Sequence, residues 1–539
     1  MEKGKTMIAR LAARLAAALM LAAPLATPAP ARTPADTLVM AWALDPVIGL
    51  DPGQVAEFNA DEILNNVCDP LVFQDYTDPS KLVPGIAERW QASADGMSIT
   101  FTLRAGLRHP SGNPVTARDA EWSIRRIMAI NFANAGTLRQ WGYAQEGFER
   151  MVEATDDRTL VVRLPRPYPA ELAIAALFTG RMGFVLDSVE AKKNARGDDH
   201  ANGWLRTNTA CVGAYRLRSW TANDTMILER NDGYWRGEPK LRRVIIRHVP
   251  ESGAQRLMLE KGDADIARIL NAQDLEGASA HPQVHLFQVP LHHFWYLAFN
   301  TSDPILGNAK VRQAFRHLID NEELERTLMK NRGMARQSLV PLGAYAGLSR
   351  AEGLPFKPDV EAARRLLAEA GFANGFTKKL IHTANSPQLE LGQYIQGQAA
   401  KAGIRIEIEA LAGAQTIGRS RAREYDMVLT GWAAGYPDAD AMVSLFAVNP
   451  DNRKEANLVG YPSWISAWAD AELNQLAEQA RMERDPARRA ELYRRIQLRH
   501  MQEGPQAFIT QSLSNIAASR QLKDIRQNGF RVWYATATK

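Results

Sequence analysis

The stretch from Gly213 to Ala267 packs strand, turn and helix signals so closely that it leaves essentially one fold class open. Tyr215 and Leu217 alternate with Arg216 and Arg218, the period-two pattern of a half-buried strand. Thr221 to Asp224 is polar and turn-like, and Met226 to Leu228 resumes an apolar strand, which predicts a hairpin. Two turn clusters, Asn231-Asp232-Gly233 and Gly237-Glu238-Pro239, lead to the β-branched strand Val244-Ile245-Ile246. Ser252 is placed to cap a helix carrying Leu257, Met258 and Leu259, and Gly262 to stop it. Asp263 to Ala267 then turns back into a strand. Strands, a helix and a strand in one run predict the core of an α/β lobe.

The chain is long enough, at 539 residues, for two to four domains. Hydrophobic residues are 46% and charged residues 23%, ordinary for a soluble globular protein. Basic residues, then an apolar run from Leu15 to Leu25, then Ala29-Pro30-Ala31 read as a secretory signal over residues 1–31, cleaved near Ala31. No Cys stands directly after that site, so no lipid anchor is expected. The segment holds Lys3, Lys5, Arg10 and Arg14 against Glu2; removing its +3 from the formal +5 leaves +2. That balance gives no argument for nucleic acid or an acidic membrane surface. Cys68 and Cys211 are the two cysteines, and an even count in a secreted chain permits one disulfide, with two buried thiols as the alternative.

No enzyme signature stands out. There is no G-x-S-x-G elbow, no H-E-x-x-H, no Walker A loop and no G-x-G-x-x-G. His281 and His285 have helical ligand spacing, but Pro282 and Val284 argue for an extended segment. His292 and His293 point to opposite faces of a strand, so one of them can line a cleft. The expectation is therefore no catalytic residues, no metal and no cofactor.

Several patterns follow in order along the chain. Leu50-Asp51-Pro52 precedes Glu57-Phe58-Asn59 and a helical run to Leu71. Asp95-Gly96 leads to the alternating strand Ile99 to Arg104, and Thr116 caps a helix through Trp122, Ile124 and Ile127. Thr159 to Leu164 is a strand, and Lys192 to Gly203 an exposed loop. Phe294 to Asn300 is an aromatic strand, followed by a helix with one clean apolar face, Val311, Ala314, Phe315, Leu318 and Ile319. Helices over 362–370 and 391–402 end at Gly371 and Gly403, and helices 471–482 and 486–503 come before Ala507-Phe508-Ile509. Met427 to Leu429 is a buried strand that Gly431 ends in a loop, presenting Trp432 at a strand end.

These patterns resemble the solute-binding proteins that serve peptide and nickel ABC importers. That family typically shows G-P-Y-x-L-x-x-W, then L-x-x-N-x-x-Y-W, then a helix ending in G-x-x-D. Here they read Gly213-Ala214-Tyr215 with Trp220, Leu228 to Asn231 with Tyr234-Trp235, and Gly262 with Asp265. Ala214 departs from the usual Pro but can occupy the φ that Pro fixes. Pro84 to Trp90, Asp95 to Arg104, Arg312-Gln313-Ala314 and Ile319-Asp320 match further motifs, and the likeness covers roughly residues 38 to 525.

The resemblance implies a type II periplasmic-binding-protein fold, two α/β lobes with a small second domain. Domain I is expected over 32–74, 208–293 and 510–539, a β-rich domain II over 75–207, and domain III over 294–509. Both cysteines sit beside motifs of the same lobe, which favours the bridge. The implied function is binding without catalysis: a monomer in the periplasm that closes on a peptide or peptide-like solute and delivers it to permease subunits driven by a cytoplasmic ATPase. A nickel chelate, haem, an opine or a sugar conjugate are the alternative solutes, and a secreted hydrolase the rival from another class. The cleft is expected to gather Phe58, Asn59, Trp295, Tyr296, Trp432, Ala433, Gly435 and Asp438. The family typically has G-W-x-x-D-Y at Gly431-Trp432, and its Asp receives a peptide's α-ammonium group. Gly435 stands there in this sequence. Three readings stay open: Asp438, Asp440 or Glu57 takes over the amine, the ligand has no ammonium at that place, or the missing side chain enlarges the pocket.

Overall fold

The computed structural model describes residues 33–55, 57–529 and 531–539, with backbone alone at Ala133. The signal segment and its cleavage site lie outside the described residues. An eleven-stranded sheet runs through the molecule. Its order is Ile404–Leu411, Phe376–Thr383, Met427–Ala433, Val284–Phe299, Gln506–Ser519, Ile266–Arg268, Thr37–Trp42, Arg243–His248, Thr225–Arg230 and Tyr215–Thr221; Gly333–Ala335 adds to Gln506–Ser519.

Two strands in the middle are far longer than the others, 16 residues in Val284–Phe299 and 14 in Gln506–Ser519. They pair antiparallel, Val284 with Ser519 at one end and Ala298 with Gln506 at the other. Between Pro290 and Phe294 the register slips, from Leu513 to Gln511 on the partner. Proline has no N–H to give the ladder, so a bulge is where a strand can carry one. The halves on either side belong to different cores. Ile516 and Ala518 pack with Leu38, Trp42, Val244 and Ile246, whereas Phe294, Tyr296 and Phe508 pack with Met442, Phe446 and Tyr493. A third core, built from Phe101, Leu103, Ile124, Trp141, Leu160 and Phe178, surrounds a separate four-stranded sheet. The expected cuts at 293/294 and 509/510 fall inside these two continuous strands. We propose that the bulge at Pro290 to His293 is the boundary between the lobes, with no loop needed there.

The stretch 213–267 folds as strands Tyr215–Thr221, Thr225–Arg230 and Arg243–His248, helix Ser252–Lys261 and strand Ile266–Arg268. Gly262 ends the helix at φ 82°, a left-handed angle that glycine takes without strain. Ser252 does not cap it: Glu251 is the N-cap, and the Ser252 hydroxyl instead accepts the Asn271 N–H at 3.0 Å. Thr116 does cap its helix, Ala117–Ile130, in a reciprocal box with Asp119. The 192–203 stretch is more ordered than a loop, since it includes the end of helix Ser188–Lys193, the start of Asn202–Leu205, and buried Ala201.

Cys68 and Cys211 form a disulfide with Cα atoms 4.9 Å apart, across 143 residues. It fixes the C-terminal end of helix Phe58–Val67. Beside it Asp69 is buried and accepts from Trp235 Nε1 at 2.7 Å and from the Tyr234 hydroxyl at 3.1 Å, which explains the Tyr-Trp motif. Burial pushes the Asp69 carboxyl up to about 7, against those two hydrogen bonds and the nearby Arg236. Asp51 of the Leu-Asp-Pro turn is also buried: it pairs with both terminal nitrogens of Arg126, at 2.7 and 2.5 Å, and so binds the first lobe to the small domain. Its carboxylate is used in the frame, away from any cleft.

Candidate ligand-binding site

Two adjoining cavities, of about 240 and 220 Å³, lie where the three cores face one another. The first is walled by Asn134 and Trp141 of the small domain, the end of helix Ala170–Leu177 with the residues after it to Met182, and Tyr436, Asp440, Ser444 and Arg481 of the third. The second is walled by Phe58 and Asp61, His292 at the bulge, Ala433 to Pro437, and the C-terminal residues Asn528 and Arg531. Arg181, Gly435, Tyr436 and Arg531 line both, so the two spaces meet there.

The small domain and the third domain touch around this space. Arg166 pairs with Glu478, and Arg484 donates to the carbonyls of Ala94 and Asp95. The Arg481 guanidinium lies 4.8 Å from the Trp141 ring centroid and 5.2 Å from that of Tyr168.

The expected site residues separate into three groups. Phe58, Ala433 and Gly435 line the second cavity, and Gly435 the first as well. Asn59 and Tyr296 sit in the frame instead. Asn59 donates to the Ala43 carbonyl at 3.0 Å. Tyr296 is 3% exposed, with its ring against Phe446 and Phe508. Trp295 faces the opposite side of the same strand and packs beside His293 and the core around Leu297 and Phe299. Trp432 is half-buried, 6.1 Å ring to ring from Phe446. The strand does not end at Gly431: it continues to Ala433, because Trp432 and Ala433 pair with Phe294 and His293 of the long strand. A Cβ at Gly431 would come within 2.6 Å of His293 Nε2, so any larger residue there has to displace that imidazole. Asp438 is held by Arg489 through two bonds of 2.9 and 2.7 Å, and it accepts the Asp440 N–H at 2.9 Å. Against the cost of burial, that carboxylate holds Arg489 protonated, above its ordinary value.

Of the acids considered as amine acceptors, Asp438 is thus paired. Asp440 accepts from the Tyr436 and Tyr493 hydroxyls at 2.7 and 3.2 Å and lies 3.5 Å from Arg481. Glu57 lies outside both cavity walls. A Cβ at position 435 would meet nothing within 4 Å, so the missing side chain leaves open space.

Arg181, Arg531, Asp61 and Tyr436 are wall residues that sequence reasoning did not single out. Arg531 Nη1 donates to the Thr179 carbonyl at 2.7 Å and to Gln74 Oε1 at 3.1 Å. Burial lowers its pKa, Arg181 adds to the effect, and Asp61 opposes it. His292 faces the second cavity and burial, then Arg531, pushes it down to about 4, so it is neutral at pH 7. Among the described residues, no group of three or more His, Cys, Asp or Glu is arranged to hold a metal ion, and no helix is long and apolar enough to cross a membrane.

Comparison with known proteins agrees with this architecture. The probable D,D-dipeptide-binding periplasmic protein DdpA of Escherichia coli K12 is 25% identical over 493 residues, 90% of this chain and 91% of that one. The heme-binding protein A of Haemophilus influenzae is 24% identical, over 83% of this chain and 82% of its own. The structure of HbpA2 from Haemophilus parasuis superposes with a TM-score of 0.78 at 23% identity, covering 93% of this chain and 99% of that one. Residues 81–454 match the family model described as bacterial extracellular solute-binding proteins, family 5 Middle. The chain is therefore a member of the family 5 bacterial extracellular solute-binding proteins, with their type II periplasmic-binding-protein fold.

Proposed function

We propose that this solute-binding protein captures a peptide or peptide-like solute between its lobes, in the periplasm, and hands it unaltered to an ABC permease. The observation that carries the reading is the pair of joined cavities, walled jointly by the first lobe, the small domain and the third domain. A site built from several domains opens when they part, so one hinge serves both capture and release. The two long strands that cross from lobe to lobe, with their bulge at Pro290 to His293, suit that hinge. Relatives whose names specify a D,D-dipeptide and heme favour a solute larger than a single amino acid, and peptides lead among them. Delivery to a permease and residence in the periplasm rest on the same relatives and on the N-terminal signal pattern.

The test is incubation of the purified chain with a mixed pool of di- to pentapeptides, followed by native mass spectrometry. Stable one-to-one mass increments with the pool unchanged support capture. New fragments in the pool would instead indicate a hydrolase, and an unliganded protein at millimolar peptide would move the search to non-peptide solutes.

A further inference from the structure

We propose that a space between the small domain and the third domain, beside the Tyr436–Pro437 turn, is a second binding site, one that takes a small aromatic compound carrying a single ammonium group. It is separate from the solute cleft and does not depend on what that cleft holds.

The space has a volume of about 360 Å³, larger than either of the joined cavities and within the range of small-molecule sites. It shares one wall residue with each of them, Ala175 with the first and Pro437 with the second. Two domains build it. The small domain supplies Leu82, Trp90, Pro169 and Leu172, and the third domain supplies Tyr345, Pro437 and Pro486. Arg484, itself on the wall, ties the two domains together through the carbonyls of Ala94 and Asp95.

These walls suit a ring. Trp90 is half-buried, and among the described residues no other ring or cation packs on its face. Tyr345 is half-buried as well and is fixed by its hydroxyl, which donates to the Pro486 carbonyl at 2.6 Å. Flat surfaces already held in place lose little freedom when a ligand stacks on them.

Charge narrows the choice. Three carboxylates, Glu171, Asp438 and Glu483, share the walls with two guanidinium groups, Arg484 and Arg489, which leaves one negative charge over. Asp438 and Arg489 satisfy each other, and Arg484 spends its terminal nitrogens on the two carbonyls. Glu171 has no hydrogen-bond or ion-pair partner among the described residues. Glu483 receives one backbone N–H, from Asp485 at 2.8 Å. One of these acids comes from each domain. An ammonium group between them meets two carboxylates with acceptor capacity to spare, and aromatic faces attract a cation further. An aromatic carboxylate meets the same groups with the wrong sign.

Calorimetric titration of the full chain with three indoles of similar size tests this: tryptamine, which carries the ammonium group, tryptophol, which is neutral, and indole-3-propionate, which is an anion. Three variants accompany the wild type. Glu171→Gln and Glu483→Gln each remove one charge at a position open to solvent, one from each domain. Gly435→Leu fills the joined cavities, where a Cβ meets nothing within 4 Å, and leaves this space unaltered. Unliganded melting temperatures show that each variant folds, and the two glutamate variants carry the test if Gly435→Leu does not. The expected result is that tryptamine binds the wild type at least tenfold more tightly than either of the other indoles. Its affinity should fall at least threefold in each glutamate variant and change less than threefold in Gly435→Leu. Absence of tryptamine binding, equal binding of all three indoles, or an affinity unmoved by either glutamate substitution overturns the site. Loss in only one glutamate variant would place the amine on a single domain, and loss in Gly435→Leu would place it in the cleft; each of these also overturns the proposal. None of these results bears on peptide capture, which the peptide pool tests separately.

Discussion

Two charged clusters flank the Tyr436 turn, and they are built on opposite plans. On one side Asp438 and Asp440 are matched by Arg489 and Arg481, with the Tyr436 and Tyr493 hydroxyls filling in. Two acids meet two bases, and the network reaches the first cavity through Asp440 and Arg481, whose guanidinium also lies against Trp141 of the small domain. On the other side Asp61 stands alone beside Arg181 and Arg531, at the meeting point of the cavities. Buried ions in a frame must be compensated from within, because water cannot do it. A cluster with charge left over is tolerable only at a place that opens to solvent or receives a ligand. The difference distinguishes a structural acid from a recognition site better than position along the chain does. Asp438 lies outside the two joined cavities and, with its partner Arg489, borders a further space beside Pro169, Leu172 and Tyr345.

Breaking the balanced cluster should cost most. Asp438→Ala leaves Arg489 buried without its partner, and loss of about 3–5 kcal/mol of stability is expected in urea unfolding. The same variant, where it still folds, should bind solute with affinity changed less than threefold. A large affinity loss with little destabilisation would make Asp438 a ligand contact and erase the contrast.

The disulfide sharpens the comparison from the other side, because it anchors the helix carrying Phe58 and Asp61. Replacing Cys68 and Cys211 with Ala frees a loop of 143 residues, and a loss of about 3–4 kcal/mol is expected in denaturant melts. Solute affinity should fall with it if that helix helps to place Asp61 against Arg181.

Asp69 offers a pH test of a buried acid without a full ionic partner. Its folded pKa is raised, from 3.8 to about 7, so the folded state holds a proton that the unfolded state has released. Stability from this group is then full below pH 4 and declines as pH rises toward 7. The whole shift sets a ceiling of about 4 kcal/mol, and about 2 kcal/mol is expected. Wild-type stability measured against Asp69→Asn should therefore decline between pH 4 and 7 and level off above. A difference independent of pH would contradict the assignment.

Trp432→Ala is the smallest of the four, about 1–2 kcal/mol from lost packing on Phe446. Melting temperature should move more than solute affinity, since the indole is half-buried against Phe446 and outside both cavity walls. The reverse order would make Trp432 part of the site.

What the sequence made legible follows from how local each signal is. Gly262, Gly371 and Gly403 all take left-handed angles where helices stop, and the Thr116 box closes within four residues. Helices 471–482 and 486–503 are found over those ranges because periodicity and caps agree. The long strand was harder to see: Pro290 reads as a break, whereas a bulge lets pairing continue past it. The meeting of Arg181 and Arg531 on the cavity walls was invisible, because they are 350 residues apart and no periodicity links them. The pairing of Asp438 with Arg489, 51 residues on, was invisible for the same reason.

The central claim is that the space between the lobes is where a solute rests unaltered. A crystal structure of the chain grown with a saturating peptide pool tests it most directly. The account predicts continuous density for an intact solute between Gly435–Tyr436, Arg181 and Arg531. Water alone in that space, or a solute bound elsewhere on the molecule, would contradict it.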